Sequence, residues 1–136
     1  MTDGKGHPLA ALITPGQRHE SVMLEAVVEQ AGPQSPRFLA GDRAYSVPCI
    51  RAWLRSRRIR AVIPFRRDEL RRWPGLPEPD PELYRRRNVI ERTVGWLKMS
   101  RSLATRFDKL AVCYLAWVQL AIAKLLLRRI ELPDTT

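Results

Sequence analysis

Short apolar runs alternate with helical patterns over the first half of the chain. Residues 8–14, 37–42 and 59–65 are runs of strand length, flanked by polar or turn-forming residues. Residues 20–30 and 46–54 carry apolar side chains at the three- and four-residue spacing of a helix. Strands that alternate with helices favour parallel pairing, with helices packed on the faces of the sheet. The pattern therefore predicts an α/β fold.

Turn and cap residues mark the ends of several of these elements. Asp3-Gly4 is typical of a hairpin turn, but only two residues precede it, so most of the partner strand is absent. Ser46 is expected to cap the helix that follows it, with Pro48 in the first turn. Residues 66–82 are rich in Arg and Pro and are expected to form an exposed basic insertion.

Two helices are predicted in the second half of the chain. Asp80 is a favourable N-cap and Pro81 suits the first helical position, so one long helix is expected to begin there. Its apolar stripe, which should pack on the sheet, consists of Leu83, Ile90, Val94 and Leu97. A final helix is expected over residues 109–130. Its apolar part is shorter than the roughly 20 residues of a membrane span, so we expect a buried helix, no membrane contact and a cytoplasmic protein.

The charge balance points to a polyanionic partner. The 136 residues include 24 Lys and Arg against 14 Asp and Glu, which gives a formal net charge of +10. Such an excess favours nucleic acid, although a coding bias toward arginine would give the same balance. The cluster Arg55, Arg57, Arg58 and Arg60 is expected either to follow phosphates or to form a solvated helix end. Trp73 could stack on an unpaired base or simply hold its own loop.

Carboxylates suggest where chemistry could occur. Asp42 ends the apolar run 37–42, and sites in open α/β sheets lie at the carboxyl ends of strands. An aspartate there is more often a turn or cap residue. On the long helix, Tyr84, Arg87, Glu91 and Lys98 would lie within about 60° of one another, which also suits a solvated face of charge pairs. Two carboxylates at one site repel each other unless a cation joins them, and Mg²⁺ is the natural candidate.

The same residues carry a resemblance to a known family. Tyr84, Arg87, Glu91 and Lys98 match the pattern Tyr-x2-Arg-x3-Glu-x6-Lys of bacterial insertion-sequence transposases. The surrounding stretches 88–92 and 95–98, and the segment 41–46 around Asp42, are also similar to this family. The resemblance implies a ribonuclease H-like fold, a mixed sheet flanked by helices, and an active site of two aspartates and a glutamate that uses two Mg²⁺ (or Mn²⁺) ions.

The resemblance assigns roles residue by residue. It implies that Asp42 and Glu91 are catalytic and bind metal, and that Tyr84, Arg87, Lys98 and Arg92 support the site or contact DNA. The family's first catalytic aspartate lies on the first strand of the sheet. Asp3 lies at a turn instead, so we expect that aspartate and its strand to lie outside this chain.

Residues 1–136 are accordingly expected to be the C-terminal part of a transposase catalytic domain. The resemblance implies DNA as partner, both element ends and target, together with an N-terminal transposase fragment or a second copy. The activity implied is metal-dependent DNA cleavage and strand transfer, incomplete in the lone chain. The alternatives are an inert truncated remnant and a basic DNA-binding or interaction module.

Overall fold

The computed structural model describes residues 1–33, 36–105 and 110–131. Its elements are two short strands and seven α-helices, and two 3₁₀ turns occupy Glu20–Met23 and Arg43–Tyr45. The helices and strands are α1 (Leu24–Gln30), β1 (Phe38–Ala40), α2 (Pro48–Ser56), β2 (Arg60–Val62), α3 (Arg67–Arg72), α4 (Pro81–Arg85), α5 (Asn88–Lys98), α6 (Arg101–Thr105) and α7 (Ala111–Glu131). The chain divides into two compact units. The first unit is Met1–Pro15 with Val89–Thr136, and the second unit is Gly16–Asn88.

The second unit is built around a parallel strand pair. β1 and β2 pair in register from Phe38 opposite Arg60 to Ala40 opposite Val62, and α2 makes the crossover between them. Leucine, isoleucine and valine side chains from both strands and from α1 and α2 form the buried core: Leu24, Leu39, Ile50, Leu54, Ile59, Val62 and Ile63. The predicted α/β alternation over residues 20–65 is confirmed. The sheet of the described residues is parallel and two-stranded, so the mixed sheet is not what they form.

One prediction for this unit is wrong. Val47, not Ser46, is the N-cap of α2, because the Ser46 hydroxyl is fully buried and donates to Glu69. Residues 66–82 are mostly exposed, as expected, and they also contain the short helix α3. Acidic residues in the first turn of α3 and arginines in its last turn complement the helix dipole, and the Arg66 amide donates to Glu69 Oε2 at 2.7 Å.

The long helix predicted from Asp80 is broken into two. Asp80 does cap α4, since its Oδ1 accepts from the amides of Glu82 and Leu83, and Pro81 takes the first position. The helix then ends at Arg85, and α5 begins at Asn88. Asn88, which favours caps and turns over helix interiors, lies at the break. The expected apolar stripe is also incomplete, because Val94 is exposed.

In the first unit, the Asp3-Gly4 turn forms but residues 8–14 do not form a strand. A single antiparallel bridge joins Thr2 to Pro8, and the amino group of Met1 donates to the carbonyl of Ala10 at 2.7 Å. Two residues before the turn are too few to pair with seven after it, so the expected strand has no ladder to join. Thr93 of α5 reaches this segment, with its hydroxyl 3.0 Å from the carbonyl oxygen of Gly6.

The C-terminal helix α7 forms where expected, but the prediction that it is buried is wrong for most of its surface. Leu103 of α6 packs with Val118 and Ala121 of α7 in a small core, and Leu125 is also buried. Other large apolar side chains of α7 are exposed to solvent: Val112, Trp117, Leu120, Leu127 and Ile130. By length and composition, residues 111–128 could cross a membrane, with a mean hydropathy of 1.5, although core helices of other proteins meet the same criterion.

Candidate active site

Asp42 lies in a tightly held turn immediately after β1. The amide of Gly41 donates to the carbonyl of Val62, which extends the pairing with β2 by one residue. Asp42 is half-buried, and its Oδ1 accepts from the amide of Ala44 at 2.9 Å, so the side chain caps the 3₁₀ turn that follows. A Cβ on Gly41 would lie 3.3 Å from the ring of Tyr45. The structure therefore places Asp42 at the carboxyl edge of the parallel pair in a close-packed turn, where it also serves as a cap.

A buried polar network that the sequence pattern did not predict lies beside this turn. Ser46 donates to Glu69 Oε2 at 2.7 Å, and Arg51 Nη2 donates both to Ser46 Oγ at 2.9 Å and to the carbonyl of Ile63 at 2.8 Å. The guanidinium of Arg51 stacks 3.8 Å from the ring centroid of Phe65. Burial lowers the pKa of Arg51, and the negative charge of Glu69 opposes that shift. The network joins α2, the end of β2 and α3 to the Asp42 turn.

Tyr45, in the same turn, is held in its neutral form. Burial raises the pKa of its phenol to about 12, and the negative charges of Glu20 and Asp42 add to that shift. The hydroxyl donates to Glu20 Oε2 at 3.4 Å. Tyr45 is thus a poor proton donor or base near neutral pH, and its contribution is to the packing of the Asp42 turn.

Tyr84 and Arg87, from the family pattern, lie together in the second unit. Arg87 follows α4, its amide donates to the carbonyl of Tyr84 at 3.0 Å, and its guanidinium lies 5.5 Å from the ring centroid of Tyr84. Both side chains are half-buried. A stacked, half-buried guanidinium keeps its donors in a fixed plane, which suits recognition of phosphate or carboxylate oxygens.

Glu91, Arg92 and Lys98 lie on α5 in the first unit, and all three side chains are exposed. Glu91 and Lys98 line one shallow depression of about 320 Å³ together with Ile90, Val94 and Gly95. The structure therefore brings a carboxylate and an ammonium to one open surface of the first unit. The four residues of the family pattern were predicted to lie on one helix. The break after α4 instead places Tyr84 on α4 and Glu91 on α5.

Trp73, which follows α3, and the arginines before it form an exposed basic surface. Trp73 is 53% exposed, and the guanidinium of Arg72 lies 5.5 Å from its ring centroid. The exposed face of an indole beside a guanidinium suits stacking on a base next to a phosphate. Trp73 is nevertheless about half covered, so its role as a partly buried anchor of the loop also stays open.

The donor chemistry fits a divalent cation, but the number of ligands does not complete a site. Carboxylates such as Asp42 and Glu91 are the oxygen ligands that Mg²⁺ prefers. Over residues 1–33, 36–105 and 110–131, however, no three His, Cys, Asp or Glu side chains are grouped as a metal site requires. One oxygen of Asp42 is also already engaged as a cap. No catalytic step through a metal follows from these residues alone.

Comparison with known proteins identifies the family. A model of the transposase DDE domain matches residues 1–126. A transposase named for insertion sequence element IS402 of Burkholderia cepacia is 32% identical over 129 residues, which cover 88% of this chain and 57% of that protein. A second, named for element IS6501 of Brucella ovis, is 27% identical over 94% of this chain and 95% of its own length. No solved structure matches the chain. The match to the first relative spans little more than half of that protein. These matches show that the chain belongs to the DDE-domain family of bacterial insertion-sequence transposases.

Proposed function

We propose that this chain is the C-terminal part of a ribonuclease H-like catalytic domain that cleaves and joins DNA when an insertion sequence moves. Asp42 and Glu91 are the carboxylates that hold Mg²⁺ or Mn²⁺ in this proposal, and Tyr84, Arg87, Arg92 and Lys98 support the site or contact DNA. The observation that carries the proposal is the place of Asp42: a half-buried carboxylate in a rigid turn at the carboxyl edge of a parallel strand pair. Active sites of open α/β sheets gather at that edge.

The chain by itself is proposed to be catalytically incomplete. Bound divalent ions in such a site would polarise a phosphodiester and activate the attacking oxygen, and this chemistry needs more carboxylates than the described residues bring together. The isolated chain is therefore expected to bind DNA through its positive charge and to leave supercoiled plasmid uncut. Mg²⁺-dependent nicking that disappears in Glu91→Gln would overturn this part of the proposal.

Metal binding tests the role of Asp42 directly. The free Mn²⁺ signal in electron paramagnetic resonance reports how much of the ion is bound, without any need for turnover. Asp42→Asn should weaken Mn²⁺ binding. Asp68→Asn provides the matched control, since Asp68 is exposed and pairs with Arg66 at 3.3 Å on the first turn of α3. Equal Mn²⁺ binding by the two variants would rule out Asp42 as a ligand.

A specific observation favours an inert basic module as the second candidate. Asp42 has a complete structural role as a helix cap, and Glu91 lies on an open surface. In that case DNA binding would persist with no metal dependence at all, and Asp42→Asn, which keeps an oxygen to cap the turn, would leave Mn²⁺ binding unchanged.

A further inference from the structure

Helix α3 has one buried face and one strongly basic face. Glu69 is only 8% exposed and points into the buried network. Arg67 and Arg71 stand two positions before and after it, about 160° around the helix on either side, and both are exposed. Neither forms an ion pair with another residue in the described part of the chain, whereas neighbouring Arg66 pairs with Asp68 and Glu69. The outward face of α3 therefore presents two guanidinium groups to solvent.

The buried face ties α3 to the Asp42 turn. Glu69 Oε2 accepts from the Arg66 amide, which begins α3, and from Ser46 Oγ, which ends the turn. Ser46 has no exposed surface, and its amide donates to the carbonyl of Arg43. A charge-assisted hydrogen bond between buried groups is short and directional. One carboxylate thus fixes the start of the basic helix and the end of the turn at the same point.

We propose that Glu69 is a positioning residue and α3 a DNA guide: Arg67 and Arg71 contact the phosphate backbone, and the Glu69–Ser46 bond holds that contact at a fixed place beside Asp42. This inference rests on the proposed function, because it requires DNA as the partner. Two outward arginines one helical turn apart suit successive phosphates. DNA bound on α3 is then delivered to the carboxyl edge of the strand pair, where Asp42 lies.

Charge-removal variants test the DNA contact. Arg67→Gln with Arg71→Gln should weaken binding of a fluorescent 20-base-pair duplex by about tenfold at low salt, and should reduce the salt slope of the affinity by about 2. The comparison pair is Arg55→Gln with Arg60→Gln, which removes the same charge from the other candidate phosphate-contacting cluster, at the edge of the strand pair opposite Asp42. α2 begins just after the Asp42 turn and has Arg55 in its last turn, and Arg60 begins β2. An equal or larger loss in the comparison pair would overturn the proposal.

A tethered cleavage reagent tests the positioning. An iron chelate on Arg43→Cys, in a chain whose exposed Cys49 and Cys113 are changed to Ser, cuts DNA that lies close to the turn. The yield per bound duplex should be high, and several-fold lower from the same chelate on Arg60→Cys. Ser46→Ala should leave the affinity within about twofold, because the basic face of α3 remains, while the yield from residue 43 falls.

Glu69→Gln provides a graded second variant. It keeps an acceptor for the Arg66 amide but loses the charge, so the cleavage yield from residue 43 should lie between those of the parent and Ser46→Ala. If Ser46→Ala does not fold, Glu69→Gln alone tests the positioning role. Equal yields from residues 43 and 60, or a yield unaffected by both variants, would overturn the positioning role while leaving DNA binding intact. Absence of duplex binding by the parent chain would instead overturn the proposed function, and this inference with it.

Discussion

Thr93 offers the most direct test of how α5 is held against the N-terminal segment. Its side chain is 4% exposed, and its hydroxyl lies 3.0 Å from both the Gly6 carbonyl and the Val89 carbonyl. Thr93→Val has nearly the same shape but removes the proton that the two carbonyls share. Loss of a buried hydrogen bond costs about 1 kcal/mol, and an acceptor left without a partner costs about 1–3 kcal/mol. We expect the free energy of unfolding to fall by about 1.5 kcal/mol.

The chain contains a matched control for this change. Thr105 of α6 donates to the Arg101 carbonyl at 2.8 Å, the same bond to the preceding turn that Thr93 makes to Val89. Thr105 is exposed, and its hydroxyl donates to no second carbonyl among the described residues. Thr105→Val should therefore change the free energy of unfolding by less than about 0.5 kcal/mol. Urea unfolding followed by circular dichroism measures both variants. Equal midpoints for the two would show that the long-range bond to Gly6 contributes nothing.

Three further outcomes follow from burial and charge. The pKa of the Tyr45 phenol is about 12 in the folded chain and near 10 in the unfolded chain. The folded state therefore holds the proton more tightly, and the free energy of unfolding should fall as pH rises from about 10 to 12. Ultraviolet titration should show a lower Tyr45 pKa in Glu20→Gln, and an unchanged value would contradict the charge effect. On α7, Leu125→Ala should cost about 2–4 kcal/mol because Leu125 is 7% exposed. Leu127→Ala, at a 56% exposed position, should cost under about 0.5 kcal/mol; urea midpoints that failed to separate these two would place the buried face of α7 elsewhere.

The parallel pair and the position of Asp42 were accessible from the sequence because local signals there agree. Residues 37–42 and 59–65 are apolar runs of the right length, and a helical pattern over residues 46–54 separates them. The turn at Gly41-Asp42 follows directly. The proposed catalytic role of Asp42 came from the resemblance and not from the pattern, since a cap at this position looks the same.

The break between α4 and α5 had little local signal. No Gly or Pro lies between Tyr84 and Glu91, and only Asn88, which favours caps and turns, marks the change. α3 was missed for the opposite reason. The prolines that suggested an irregular insertion all lie at or beyond Pro74, while Asp68 and Glu69 followed by arginines is a recognisable helix pattern. Composition averaged over residues 66–82 concealed it.

Burial of α7 could not be predicted from its own residues. An apolar helix is expected in a core, but whether a core surrounds it depends on elements elsewhere in the fold. In the described structure, Leu103 covers one strip and leaves Leu120 and Ile130 in solvent.

The Glu69–Ser46–Arg51 network also constrains how this sequence can diverge. The buried carboxylate of Glu69 and the half-buried guanidinium of Arg51 share the Ser46 hydroxyl, so loss of Glu69 would leave Arg51 without its neighbouring negative charge. Substitutions at positions 46, 51 and 69 should therefore occur together across homologous transposases. This holds even though position 69 lies in a segment whose composition suggests that it tolerates substitution. Lineages with an apolar residue at 69 should also have lost the arginine at 51. The surface arginines of α3 are not coupled to other positions in this way, so we expect lysine to replace them independently.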